Sequence, residues 1–161
     1  MSISLVRIDD RLIHGQVVEG WIPHIRAERV VVISDEVASD TVQSELMRLA
    51  LPESIKLDIC SVAQAHDTLS RLINEPERTL VLAPGPAEIL SLLQMGTNIK
   101  SINVGGLHYA AGRIQLGKAI FLNEKDVRDL EAISDFGVSL EGRALPTERV
   151  TDILDLIRKK G

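Results

Sequence analysis

ISLVRIDDRLIHGQV, residues 3–17, is the stretch that decides the fold. Its first four residues, Ile3 to Val6, form an apolar run that reads as a buried strand. From Val17 the spacing turns helical, with Val17, Val18, Trp21, Ile22 and Ile25 on one face. Between the two, Arg7, Asp9, Asp10, Arg11 and His14 crowd five ionisable groups into a short loop. A strand that runs into a charged loop and then a helix places that loop at the carboxyl edge of a parallel sheet, where open α/β sheets bind their ligands. The helix start adds unpaired backbone N–H groups and a partial positive charge, both favourable to an anion. With His14 near that start and Arg11 three residues before it, an imidazole nucleophile sits beside a guanidinium. A transferable phosphoryl group needs this pairing.

The pattern repeats down the chain. Further aliphatic runs at Val30 to Ile33, Ile55 to Cys60, Leu80 to Ala83, Ile99 to Val104, Ala119 to Leu122 and Val138 to Glu141 read as strands. Helical spacing fills the intervals. Val42, Leu46, Leu49 and Ala50 make one inner face, ended by Pro52. Val62, Ala65, Leu69, Leu72 and Ile73 make another, opened by Ser61 with Gln64 three residues on. Ile89, Leu90 and Leu93 precede Gly96, and Asn123 caps a helix carrying Val127, Leu130 and Ile133. A last helix is expected after Pro146 and Thr147, with Val150, Ile153, Leu154 and Ile157 inward. Repeated βα units predict an α/β fold: one doubly wound domain over residues 1–161, with a mostly parallel sheet of about six to seven strands and helices on both faces.

Composition agrees. The 161 residues are 45% apolar, with only one Trp, one Tyr and two Phe, so the core is aliphatic, as in helix-covered parallel sheets. A net charge of −5 and the lack of a Lys/Arg cluster speak against nucleic acid. The single cysteine, Cys60, lies in an apolar run and reads as a packing residue. No apolar run reaches the roughly 18 residues of a membrane span, and the first strand begins with no leader pattern ahead of it. A cytoplasmic protein is expected, with no metal site and no cofactor: the four histidines and Cys60 show no ligand spacing.

In a doubly wound sheet the loops after successive strands gather along one edge. That brings Asp9 to His14 together with Ser34 to Ser39 (SDEVAS) and Gly105 to Arg113 (GGLHYAAGR). His14 is the expected nucleophile and Arg11 the bidentate phosphate clamp. Arg7, Gly15 and Asp10 are expected around the same phosphate. Asp9, Ser34, Asp35, Gly105, Gly106 and His108 are candidates to line the cleft. Of the two aspartates, one is expected to orient an arginine or the His14 ring and the other to cap the loop or helix. The arginines Arg7, Arg11 and Arg113 are expected to give a partner-docking face positive charge.

RIDDRLIHGQV, VVVISDEVASDTV and INVGGLHY resemble, at the right spacing and over the whole chain, the IIB component of the mannose/fructose/sorbose family of the bacterial phosphotransferase system. The resemblance implies that His14 takes a phosphoryl group on Nδ1 from a phosphohistidine of a IIA protein, with Arg11 touching it. His14 then hands it to a sugar imported by IIC/IID membrane components, so contact with the membrane runs through partners only. An alternative is a regulatory module that keeps the phosphorylatable histidine without a transport role. A third reading, a hydrolase or nucleotide-binding domain with His14 as general base, lacks a Walker loop, a GxGxxG fingerprint and a nucleophile-elbow serine.

Overall fold

The computed structural model describes residues 2–108, 110–117 and 119–160. Tyr109, part of the expected glycine loop, lies outside them. Strands β1 (Ile3–Asp9), β2 (Arg29–Ile33), β3 (Lys56–Cys60), β4 (Thr79–Ala83), β5 (Ser101–Gly106), β8 (Ser139–Gly142) and β9 (Thr151–Asp152) form one seven-stranded sheet in the order β3-β2-β4-β1-β5-β8-β9. All its pairs are parallel except β8 with β9. β6 (Ile114–Gln115) and β7 (Phe121–Leu122) pair antiparallel as a separate ribbon. The run Ala119 to Leu122, expected as a strand of the main sheet, therefore joins a small flap beyond β5 instead.

Alternation along each strand divides the core. Val31, Ile33, Val81, Ala83, Ile102 and Val104 face a layer made by α4 (Val62–Leu72), α5 (Pro86–Gln94), α6 (Glu124–Asp135) and α7 (Ile153–Lys160). Their sequence neighbours Val30, Val32, Leu80 and Leu82 face the other layer. There lie α1, α2 (Asp35–Ala38) and α3 (Thr41–Ala50), where α1 is a π-helical stretch, Gln16–Trp21, running into an α-helical turn, Ile22–Ile25. Pro23 near the start of that turn and Arg26 in the left-handed region at φ 56° bound it. The capping box read from Ser61–Gln64 is present; Asn123 caps its helix as expected, and the structure shows that Asp126 makes this a second capping box.

Three expectations are corrected. β1 continues three residues past Val6, because its pairing with β4 and β5 runs on to Ile8 and Asp9. Arg7 and Asp9 are therefore strand residues rather than loop residues. The last helix starts at Ile153; Thr151 and Asp152 are claimed by pairing with Gly142 and Glu141, and Val150 is exposed. Finally, Val42, Leu46 and Leu49 of α3 face outward, and no residue of that helix is buried.

Topology sets the site. From β1 the chain winds toward β2 and β3; from β4 it winds the other way, to β5. The carboxyl end of β1 is thus where the winding direction switches, the usual place for a ligand crevice in such sheets.

Candidate active site at the end of the first strand

β1 alternates Val6 and Ile8 toward one core layer with Arg7 and Asp9 toward the other. Both charged side chains are fully buried. Arg7 donates to Asp9 Oδ2 from Nε at 3.3 Å and from Nη2 at 3.0 Å. Its Nη1 donates to Asn103 Oδ1, the residue opposite it on β5, and to the Arg143 carbonyl at 3.0 Å; Nη2 also reaches the Ala144 carbonyl at 3.0 Å. All five N–H groups are spent. Trp21, itself held by Nε1 donating to the Ala144 carbonyl at 2.8 Å, lies 5.1 Å from the guanidinium carbon, with Arg143 at the same distance. A cation stacked on an aromatic face gains on the order of 1–2 kcal/mol when desolvated. On the side of β5, Gly105 is indispensable: a Cβ there would stand 1.9 Å from Arg7 Cζ.

The Asp9 carboxylate has a second side-chain partner, His14. His14 Nε2 lies 2.8 Å from Asp9 Oδ2, while Asp9 Oδ1 accepts the Arg11 backbone N–H at 3.1 Å. Burial pushes the Asp9 pKa up, but the hydrogen bond to His14 and the charges of Arg7 and His14 outweigh it, so the carboxyl ionises below its ordinary value. An ionised Asp9 accepts a proton-bearing Nε2. That fixes the ring tautomer and leaves Nδ1 with no hydrogen-bond partner among the described residues. The chain turns sharply to present the ring: Leu12 adopts φ 58°, its N–H returning to the Asp9 carbonyl at 3.0 Å, while Leu12 and Ile13 are pinned in the core. The His14 carbonyl receives the first helical N–H bonds, from Val17 and Val18. The Gly15 N–H has no partner among the described residues, and a Cβ on Gly15 would meet only open space. Arg11 is exposed and rests on the helix start, with Nη2 3.3 Å from Gln16 Oε1. His14, Arg11 and Gly15 thus share one open edge.

Several candidates sit elsewhere. Arg7 does not reach that edge, since its donors are all used in the interior; it supports Asp9 rather than a phosphate. Asp10 points away too. Its carboxylate holds the His108 backbone N–H at 2.7 Å and the His108 ring Nδ1, with Arg113 at 3.8 Å. This latch ties the first loop to the segment after β5. Ser34 is buried and caps α2 by accepting from Val37, and Asp35 accepts the Val62 N–H at 2.8 Å, so both serve helix starts two strands from β1. Gly106 lies against Asp9, and its carbonyl accepts the Asp10 N–H at 3.0 Å. The expected arginine-rich docking face reduces to Arg11: Arg7 is buried, and Arg113 pairs with Asp10 and Asp126. Sequence reasoning missed Trp21, Asn103 and the Arg143–Ala144 carbonyls as the housing of Arg7. A cavity of about 490 Å³ adjoins the site between Gln16, Gly105, Arg143 and Arg149. Among the described residues no cluster of His, Cys, Asp and Glu suits a metal ion.

His14 is thus held through Nε2 on a buried Arg–Asp pair and open at Nδ1, and the comparisons with known proteins give the family in which this arrangement sits. The family described as the PTS system sorbose subfamily IIB component matches residues 3–161. The chain belongs to that IIB family. It is 35% identical over 158 residues to the fructose-specific EIIB component of Bacillus subtilis (strain 168), covering 98% of this chain and 97% of that one. It is 36% identical to the mannose-specific EIIAB component of Escherichia coli (strain K12), of which it spans 49%. Among solved structures, the IIB domain of the Klebsiella pneumoniae sorbose permease superposes with a TM-score of 0.93 at 32% identity, covering 100% of this chain and 99% of that one. As a sugar-specific IIB component of the mannose/sorbose group, the chain carries the seven-stranded, mostly parallel α/β fold of its relatives. None of its described helices is long and apolar enough to cross a membrane.

Proposed function

We propose that this IIB component is a cytoplasmic phosphocarrier whose covalent intermediate is phosphohistidine at His14 Nδ1. The observation that carries the reading is the 2.8 Å contact of His14 Nε2 with the buried Asp9 carboxylate. In the forward step the Nδ1 lone pair attacks the phosphorus held by a histidine of a IIA protein; the P–Nδ1 bond forms as the donor's P–N bond breaks. The His14 ring gains positive charge, which Asp9 offsets across the Nε2–H bond. Arg11 and the Gly15 N–H face the phosphoryl oxygens, so charge stabilisation and positioning supply the catalysis. In the second step a sugar hydroxyl oxygen attacks phosphorus, the P–Nδ1 bond breaks, its electron pair returns to the ring, and the hydroxyl proton leaves to a base of the membrane acceptor. Imidazole suits both directions because it is a good nucleophile and a good leaving group near neutral pH. The partners are thus a IIA phosphohistidine protein and a IIC/IID sugar transporter, with no metal or cofactor.

Incubation with phosphoenolpyruvate, the general relay proteins and a mannose-type IIA protein tests this. One phosphoryl group is expected per chain, acid-labile and base-stable, and none on His14→Ala. Stoichiometric phosphorylation of His14→Ala would remove His14 from the mechanism. Transfer onward to a sugar by vesicles carrying IIC/IID separates transport from the purely regulatory alternative.

A further inference from the structure

Helix α3 breaks the rule that built the other helices. Its aliphatic stripe has the same spacing as theirs, but Val42, Leu46 and Leu49 are 68%, 61% and 78% exposed. Surface positions i, i+4 and i+7 are neighbours, so the three make one continuous apolar ridge. Nothing in the helix is buried, and α3 is attached by its ends and by its three half-buried residues, Gln43, Ser44 and Met47. Asp40 caps it, Ser44 Oγ donates to the Val37 carbonyl at 2.8 Å, and Met47 rests on the core. An exposed ridge of this kind marks an interaction surface.

Its surroundings select the occupant. Between Asp35 and Ile55 the chain carries Asp35, Glu36, Asp40, Glu45 and Glu53 with Arg48 as the single basic residue, so the segment that bears the ridge is acidic. An anionic bilayer would be repelled, and a second copy would bring two acidic segments together. A protein surface with an apolar centre and lysine or arginine around it fits. The ridge is also too small to stand alone: three aliphatic side chains fall well short of the roughly 800 Å² per partner of a standard interface. It must be the wing of a contact centred elsewhere. The contact demanded by the chemistry is centred on His14, and the two places are joined. Leu12 and Ile13 of the His14 loop belong to the same buried cluster as Val37 of α2 and Leu51 just past α3, with Met47 against it. β2, which leads into α2 and α3, lies two strands from β1, about 10 Å.

We propose that the Val42–Leu46–Leu49 ridge is the apolar wing of the docking surface for the phosphoryl-donor IIA protein, which meets it with an apolar patch ringed by basic side chains. The proposal rests on the phosphocarrier reading. The ridge makes no contact with the phosphoryl group; it sets how long the donor stays, and the acidic segment that bears it speeds the encounter at low salt.

The test compares native protein, Leu46→Ser/Leu49→Ser and Glu45→Lys as acceptors from phospho-IIA at varied acceptor concentration. Both variants alter exposed side chains, and circular dichroism checks their fold. The apolar variant is expected to raise KM on the order of tenfold with kcat within about twofold, matching the loss of roughly 1.4 kcal/mol of docking energy. Glu45→Lys is expected to raise KM and flatten its dependence on salt. Unchanged KM in both variants, with the native chain still phosphorylated, overturns the ridge and leaves the phosphocarrier reading standing; no phosphorylation of the native chain overturns both. A ridge-dependent dimer in gel filtration, or ridge-dependent binding to phosphatidylglycerol vesicles, with KM unchanged, overturns the donor assignment in favour of those occupants.

Discussion

Asp9 is the residue on which the site turns, because one buried carboxylate answers both to Arg7 and to His14. Asp9→Asn keeps the shape but leaves the Arg7 guanidinium charged in the interior with no counter-charge. Breaking a buried pair from one side typically costs about 3 kcal/mol or more, and urea unfolding is the measurement. The amide also ceases to dictate which ring nitrogen carries the proton, so phosphorylation of His14 should slow more than in Arg11→Lys. The latter keeps its charge and removes only the planar fork, with transfer down by roughly tenfold and stability unchanged, since Arg11 is exposed. Equal effects of the two variants on both readouts would contradict the division of labour between support and contact. Much of this is legible in RIDDRLIHGQV: His14 and Arg11 do share an open edge. Arg7 is not, because the apolar run that marks the strand stops at Val6. A period-2 signal, Val6 and Ile8 against Arg7 and Asp9, continues past it, but charged residues at inward positions look like a loop until a partner for them is known.

At the scale of elements, periodicity locates helices well and cannot say what covers them. The residues Leu69 and Leu72 of α4 and Leu46 and Leu49 of α3 have the same spacing; the first pair is buried and the second exposed. Leu72→Ala should cost about 2–5 kcal/mol, whereas Leu49→Ala should stay within about 0.5 kcal/mol; thermal or denaturant unfolding of both variants checks the contrast. The π-helical register of Gln16–Trp21 is also invisible in the sequence, because its wider turn still leaves Val17 and Trp21 inward. That register has a use, placing Trp21 over Arg7 while His14 stays at the helix entrance. β6 and the edge strand β9 escape sequence reading for a simpler reason, since two-residue strands carry no pattern; β7 lies in the run Ala119 to Leu122 that reads as a strand, and only its place outside the main sheet is unreadable.

For the molecule as a whole, the charged cluster is a fixture of the sheet and not of its surface. Asp9 titrates below its ordinary 3.8, so its contribution to stability is complete above that value. The contribution is lost as pH falls through the lower folded value. The native protein is therefore expected to lose stability toward strong acid, and Asp9→Asn to show a weaker dependence over that window; unfolding free energies followed from neutral pH downward decide it. The arrangement also binds distant parts of the chain. β1, β5 and the Arg143–Ala144 turn meet at Arg7 through side-chain and carbonyl bonds.

Trp21 gives this arrangement an optical readout. It is the only tryptophan of the chain, so all indole emission comes from a ring lying beside two guanidinium groups, one of them bonded to the carboxylate that holds His14. Indole fluorescence responds to nearby charge, and a doubly negative group arriving on His14 would redistribute the field along His14, Asp9 and Arg7. The steady-state emission of the unlabelled protein should then shift in intensity or wavelength as the phosphoryl group arrives and return as it leaves. Stopped-flow fluorescence would follow each passage in real time, and His14→Ala should be silent.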